Sequence, residues 1–165
     1  MVVALAIVLL GMAIFKLYMS SKFVVDDSIP TSNVATIDAD QYTNILEEVY
    51  NNPDQYVGQN LRFTGFVYRL EDMKDNEFVL ARNMLINSDS QSVVVGFLCT
   101  SDNAKDFDNG TWVDVSGKIV KGYYHDHIPV IEISSIEKTT KPEDDYVSPP
   151  DSSYIPTAVI LGVER

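Results

Sequence analysis

The stretch YVGQNLRFTGFVY, residues 56–68, decides the fold of this chain. After a turn at Gly58, the side chains alternate between two faces, which is the period-two pattern of a half-buried strand. One face carries Leu61, Phe63, Gly65 and Val67, and the other carries Arg62, Thr64, Phe66 and Tyr68. A glycine in the middle of a strand is unfavourable unless the strand bends or another backbone passes close to it. We therefore predict that residues 61–69 form the first strand of a small barrel, with Gly65 at a corner.

Four further stretches have strand character and complete the barrel. They cover residues 77–87, 92–100, 111–121 and 128–137, and polar turns separate them. Gly96 and Gly117 lie inside two of these stretches, as barrel corners require. Five short strands of this kind are typical of an OB-type barrel. The predicted fold is mainly β: a five-stranded, OB-like antiparallel barrel with one preceding α-helix, plus an N-terminal transmembrane helix.

The helix before the barrel is predicted over residues 40–52. Its apolar side chains recur at helical spacing and form one stripe, which consists of Tyr42, Ile45, Leu46, Val49 and Tyr50. Asp40 is predicted to cap the first turn, because its carboxylate can accept hydrogen bonds from the unpaired amides there. Pro53 is predicted to end the helix. OB-type barrels often carry an extra helix before the fourth strand, and here that connection is residues 101–110.

The flanking segments predict a membrane anchor and two spacers. Residues 1–19 are almost entirely apolar and just long enough to cross a bilayer, which favours an anchor over a cleaved signal peptide. Residues 20–39 are predicted to be a linker, residues 40–140 the OB-like domain, and residues 141–165 a Pro-rich acidic tail. The apolar end of that tail, Ile155–Val163, either adds an edge strand or dangles. The abrupt apolar start also permits Met1 to lie inside a longer protein.

The predicted location is the plasma membrane, with one crossing. The linker and the tail have the composition of exposed surface-protein spacers, so we expect the domain on the extracytoplasmic side. Lys16 and Lys22 follow the apolar segment and favour the opposite orientation by the positive-inside rule.

The charge balance limits the partners. The chain has 24 acidic and 12 basic residues, for a formal net charge of −12. Such a surface repels phosphate backbones, so we expect no nucleic-acid binding despite the OB-like pattern. The single cysteine, Cys99, lies in an apolar run and is interpreted as a small buried residue.

Three residues are candidates for binding: Tyr68, Arg82 and Trp112. Arg82 shares the predicted apolar face of its strand with Phe78, where an arginine needs a carboxylate, carbonyl groups or a ligand. It is interpreted as a structural salt bridge, as a residue turned outward by a bulge, or as a site for an anionic ligand or partner. Tyr68 and Trp112, together with Phe66, lie on exposed faces and can form a stacking surface of the OB type.

The histidines are the candidates for a metal site. His125 and His127 are two residues apart, so both imidazoles would reach one metal if they lie on a strand. The alternative is an exposed polar turn between the fourth and fifth strands. The sequence has no P-loop, G-x-S-x-G, H-E-x-x-H or C-x-x-C motif, so we expect neither an enzyme nor a cofactor.

Several short motifs in order resemble the C-terminal domain of the YcgQ-like bacterial membrane proteins. They are GFVYR at 65–69, FVLAR at 78–82, Val95-Gly96, WVDVSG at 112–117, and Pro129 with Ile131. The resemblance implies an anchored OB-like domain that works with a YcgR-like permease. Family members commonly carry a Cys-Cys pair after the Ala-Arg element, where this chain has Asn87 and Ser88. The thiol or metal chemistry of that pair is therefore not expected here.

These observations lead to two functional hypotheses. The first is a membrane-anchored, non-enzymatic accessory subunit of a permease, with an OB-like domain that binds protein or ligand. The alternative is an extracytoplasmic module that binds a small ligand or a metal. The sequence does not identify a transported substrate.

Overall fold

The computed structural model of the chain describes residues 34–86 and 91–154. The predicted membrane anchor at 1–19 lies outside these ranges, and so does the apolar end of the tail. Within the described ranges, no helix is long and apolar enough to cross a membrane.

The described residues form seven strands and three short helical segments. The strands are β1 (Val34–Ile37), β2 (Asn60–Tyr68), β3 (Glu77–Leu85), β4 (Ser92–Thr100), β5 (Trp112–Tyr124), β6 (Asp126–Lys138) and β7 (Tyr146–Val147). The helical segments are α1 (Tyr42–Asn51), α2 (Pro53–Tyr56) and a 3₁₀ turn (Ala104–Asp106).

Five of the strands close into a barrel. Around the ring, β2 pairs with β5, β5 with β6, β6 with β4, β4 with β3, and β3 again with β2. This is the connectivity of an OB-type barrel, so the predicted barrel is confirmed. The prediction of a wholly antiparallel barrel is wrong, because β4 and β6 run parallel at Leu98–Thr100 and Val130–Glu132. A closed ring with an odd number of strands cannot alternate direction throughout, and one pair must be parallel.

The predicted alternation and corner are both present in β2. Leu61, Phe63 and Val67 are buried in the barrel, whereas Arg62 is exposed. Residues 60–66 pair with β5, and residues 66–68 pair with β3. Gly65 lies where the strand changes partner, and a Cβ atom there would be 2.7 Å from the Ala81 carbonyl oxygen. The glycine therefore permits the close approach of two backbones that closes the barrel.

The helix α1 presents its predicted apolar face to the core but begins differently. Tyr42, Ile45 and Val49 are buried. The predicted cap at Asp40 is wrong, because the residue before the first helical turn is Gln41, whose side chain makes no capping hydrogen bond. Asp40 lies instead in a turn that is closed by a hydrogen bond from the Gln41 amide to the Asp38 carbonyl. Pro53 ends α1 as predicted and also starts α2, since proline fits the first helical position.

Two short strands lie in segments for which the sequence suggested no regular structure. Strand β1 lies within the predicted linker and pairs in parallel with β2. Strand β7 lies within the predicted tail and pairs in parallel with β3 at Asn83 and Met84. The connection from β4 to β5 contains only the 3₁₀ turn. The helix α1, which comes before the barrel in the chain, packs against β4 and β6.

Candidate functional site

Arg82 is buried among groups from several elements. Its side chain is 5% exposed, and its Nε donates a hydrogen bond to the Thr64 carbonyl in β2 over 2.9 Å. Its Nη1 donates to the Asp144 carbonyl over 3.4 Å, and its guanidinium lies 5.0 Å from the ring centre of Trp112. Arg82 thus connects β3 to β2, to β5 and to the segment before β7.

The contacts of Arg82 determine whether its guanidinium can bind a ligand. Burial lowers the pKa of the guanidinium, and the negative charges of Asp144 and Asp145 act in the opposite direction. Its hydrogen-bond acceptors are main-chain carbonyls, which are neutral, and its flat face is covered by the Trp112 ring. The structure therefore brings two of the three predicted binding residues together, with the guanidinium engaged by the protein itself.

The predicted stacking surface is formed only in part. Phe66 and Trp112 make an edge-to-face contact with ring centres 5.6 Å apart. Tyr68, the third predicted residue, is half-buried at the end of β2 and pairs with Val79. In the part of the chain that the structure describes, Tyr68 takes part in neither a ring contact nor a cation contact.

The loops at one end of the barrel are held together by a set of three side chains, Asp72, Tyr124 and His125, which we call the loop clasp. The Tyr124 hydroxyl donates to one Asp72 carboxylate oxygen, and His125 Nε2 meets the other, both over 2.7 Å. Asp72 belongs to the β2–β3 loop, Tyr124 is the last residue of β5, and His125 makes the turn from β5 to β6. The bonds from Tyr124 and His125 lower the pKa of Asp72, and the bond to Asp72 raises the pKa of Tyr124 to about 12.

The two histidines contact different partners. The β5–β6 pairing continues to Tyr124 and Asp126, so His125 alone makes the turn, with a positive φ of 58°. His125 therefore does not share a strand with His127, whose ring lies 5.5 Å from that of Tyr123. No group of three or more His, Cys, Asp or Glu side chains in the described ranges is arranged to hold a metal ion.

An apolar groove runs between α1 and the end of the β3–β4 hairpin, and we call it the α1–β4 groove. Its volume is about 380 Å³. The residues that line it are Thr43, Leu46, Glu47, Tyr50, Met84, Val94, Val95, Gly96 and Pro150. The sequence-based predictions do not include this site, although the sequence contains a signal for it. Val93, Val94 and Val95 are all apolar, whereas a strand with one solvent-exposed face alternates between apolar and polar residues.

Cys99 is not a nucleophile in this fold. It is fully buried, and burial raises the pKa of its thiol to about 12. The thiol is therefore protonated and out of contact with solvent at neutral pH. This confirms the interpretation of Cys99 as a small buried residue.

Comparison with known sequences relates most of the chain to one family. A profile described as "DUF1980 C-terminal domain" matches residues 18–149. The chain is 26% identical over 111 residues to the "UPF0703 protein YcgQ" of Bacillus subtilis strain 168, which is 66% of this chain and 39% of that protein. It is 32% identical over 114 residues to a "Putative two-component membrane permease complex subunit" of Streptococcus mutans serotype c, which is 67% of this chain and 41% of that protein. The chain thus spans about two-fifths of these relatives.

Solved structures show weak likeness to the domain. The Stn1–Ten1 complex of S. pombe aligns with a TM-score of 0.37 and 17% identity, over 66% of this chain and 84% of that one. The N-terminal domain of PriB from Thermoanaerobacter tencongensis aligns with a TM-score of 0.32 and 12% identity, over 50% and 97% respectively. The order of strand pairing around the closed ring is what makes the fold OB-like.

Proposed function

The chain belongs to the DUF1980 C-terminal domain family, and from that premise we propose that it is a non-enzymatic accessory subunit of a membrane permease complex. The name of the Streptococcus mutans relative supports this role. In the proposal, residues 1–19 anchor the chain in the lipid bilayer, and the barrel binds a YcgR-like permease.

The α1–β4 groove is the observation that carries the proposal. Exposed apolar surface on a soluble domain commonly marks a binding site for protein. The large apolar side chains exposed on α1, near the end of the hairpin and on β7 are Tyr50, Leu85, Ile86, Val93, Val94 and Tyr146. The chain has a net charge of −12, whereas these exposed side chains carry no charge.

Three side chains with reactive groups are already bonded or buried, which supports a role in binding rather than in catalysis. Arg82 is engaged by carbonyl groups and a ring, Asp72 by the loop clasp, and Cys99 is buried. These groups hold the fold together, and each is already paired or shielded from solvent.

Co-purification tests the proposal. The full chain, extracted from membranes in mild detergent, is expected to carry the permease with it. Deleting the permease is expected to reduce the size of the complexes on native gels. Val94 and Leu70 are both 42% exposed, so Val94→Asp in the groove and Leu70→Asp in the β2–β3 loop form a matched pair. Val94→Asp is expected to release the permease and Leu70→Asp to retain it; complexes of unchanged size without the permease would contradict the proposal.

We also propose that the domain lies on the extracytoplasmic side of the plasma membrane. The composition of the segments around the domain supports this orientation. Protease added to intact cells is expected to cleave the domain, while a cytoplasmic control protein stays intact. Cleavage only after cell lysis would contradict the proposal.

Binding of a small apolar ligand is a second candidate function. The 380 Å³ of the α1–β4 groove falls within the ~300–1,000 Å³ of ligand pockets. Native mass spectrometry of the purified chain would show a bound small molecule that Val94→Asp removes. Metal binding at His125 and His127 lacks comparable support, because His125 is engaged with Asp72.

A further inference from the structure

In the part of the chain that the structure describes, one edge of β4 is unpaired at the hairpin end of the strand, and we call it the open edge. Along its whole length, Ser92–Thr100, the strand pairs with β3 on one side. On the other side it pairs with β6 only at Leu98–Thr100. In the described ranges, residues 92–97 therefore have no strand beside them on that edge.

The main-chain groups at this edge point outward at alternate residues. The Ile86 amide donates to the Gln91 carbonyl across the hairpin over 2.9 Å, so these two residues form a hydrogen-bonded pair. Such pairs alternate with non-bonded pairs in antiparallel strands, which makes Met84–Val93 the next bonded pair. The amides and carbonyls of Ser92 and Val94 consequently face away from β3. An added strand needs donors and acceptors at this spacing.

The open edge also lacks the features that normally prevent edge pairing. Natural edge strands are protected by charged side chains, prolines or bulges. Strand β4 contains no charged residue and no proline, and its register with β3 is unbroken. An uncharged, regular edge in a chain with 24 acidic residues is suited to pairing with another segment.

The α1–β4 groove lies beside this edge and supplies side-chain recognition. Leu46 and Tyr50 line it from α1, and Val94 and Val95 line it from β4. Glu47 is the charged residue among those that line it. Its carboxylate is exposed and has no ion pair or hydrogen bond within the part of the chain that the structure describes.

We propose that the open edge of β4 binds an extended segment of the permease subunit as an added strand. An apolar side chain of that segment occupies the α1–β4 groove, and a Lys or Arg of the segment lies opposite Glu47. The inference rests on the proposed function and specifies how the partner is recognised. The net charge of −12 favours a basic partner over a second copy of this chain.

The main-chain part of the proposal is tested at Val94. Proline is tolerated on an edge strand where its missing amide would face solvent, so Val94→Pro removes a donor from the open edge and leaves the β3 ladder intact. Val94→Thr keeps the amide and the branched side chain and serves as the control. In co-purification from membranes, Val94→Pro is expected to lose the permease at least tenfold, and Val94→Thr to retain it. Circular dichroism of both variants checks that the barrel is folded.

The side-chain part is tested by reversing a charge. Glu47→Lys is expected to weaken recovery of the permease several-fold, because it places two cations together. Glu71→Lys makes the same change in net charge in the β2–β3 loop, at the other end of β3, and is expected to have no effect. Both substitutions are on exposed residues, so this test does not depend on the tolerance of β4 for proline.

The outcomes separate this inference from the proposed function. If the wild-type chain does not recover the permease, both are overturned. If Val94→Pro is folded and still recovers it, strand addition is overturned and the accessory role stands. If light scattering shows that the isolated wild-type chain is a dimer that Val94→Pro dissociates, the occupant of the edge is a second copy and the inference is overturned. Hydrogen exchange that is slowed at Ser92 and Val94 in the permease complex would support it.

Discussion

Arg82 illustrates how one residue can join parts of the chain that are far apart in sequence. The β2–β3 ladder ends at Phe66 and Ala81, so Arg82 comes directly after the last pair. Beyond that point β3 separates from β2, and a polar side chain can reach the Thr64 carbonyl that the separation leaves available. The sequence identified Arg82 as unusual because it lies on an apolar face. The bonding partners come from three other elements, so the sequence could not supply them.

Replacing Arg82 is expected to destabilise the domain. Arg82→Met keeps the length of the side chain but leaves the half-buried Thr64 carbonyl without its donor, at a cost of about 1–3 kcal/mol in the free energy of unfolding. Arg62→Met is the control, because the Arg62–Asp114 ion pair is exposed and is expected to contribute less. Urea denaturation measures both variants. Equal unfolding midpoints for the two would contradict the structural role of Arg82.

At the scale of elements, the barrel depends on close backbone contacts that only glycine permits. Gly65 allows β2 to pass from β5 to β3. Gly117 allows β5 to pass close to the Glu132 carbonyl oxygen, which would lie 2.7 Å from a Cβ atom at this position. These positions are predicted as corners because a glycine in the middle of a strand is unfavourable unless the strand bends or another backbone passes close to it. The sequence could not predict β1 and β7, since four- and two-residue strands carry too little periodic signal.

Gly65→Ala is expected to strain the closure of the barrel. The added methyl group would lie 2.7 Å from the Ala81 carbonyl oxygen, which is main chain and can move only with β3. Overpacking of this kind costs about 1–3 kcal/mol. Ser116→Ala, a similar small change in β5, is the control. Thermal unfolding compares the two, and a melting temperature for Gly65→Ala equal to that of the control would contradict the proposed packing.

The loop clasp is expected to open in acid. Hydrogen bonds from Tyr124 and His125 hold the pKa of Asp72 below its usual value, so protonation is easier in the unfolded chain than in the folded one. The contribution of Asp72 is therefore present above its unfolded pKa of about 3.9 and is lost as the pH falls through its lower folded value. The NMR signals of the Tyr124 ring are expected to shift in that range. In Asp72→Ala, the Tyr124 signals are expected not to shift over this pH range. Asp126→Ala is the control and is expected to show the same shift as the wild-type chain.

At the scale of the whole molecule, the acidic surface and the OB-like barrel suggest different partners. OB-type barrels commonly bind nucleic acid, but neutralising phosphates requires basic side chains. The chain has 12 basic residues, and Arg62, Lys74 and Lys121 are among those that pair with acids. The exposed apolar groove is consistent with a protein partner.

The chain is expected not to bind single-stranded nucleic acid. At low salt, where electrostatic attraction is strongest, labelled DNA and RNA oligonucleotides are expected to keep the anisotropy of free probe at micromolar chain concentrations. A single-stranded-DNA-binding protein serves as the positive control. A rise in anisotropy that salt reverses would show a phosphate-binding surface and contradict this prediction.

The sequence by itself determined the barrel, the alternation of β2 and the glycine corners, because these follow from period-two patterning and local steric limits. It also identified Arg82 and Trp112. Only the tertiary structure decided that these two residues meet, that His125 is bonded to Asp72, and that the α1–β4 groove lies beside an open edge. Each of these features joins residues from elements that are distant in the chain. Their relative positions depend on strand order and register around the closed ring, which no local pattern of residues encodes.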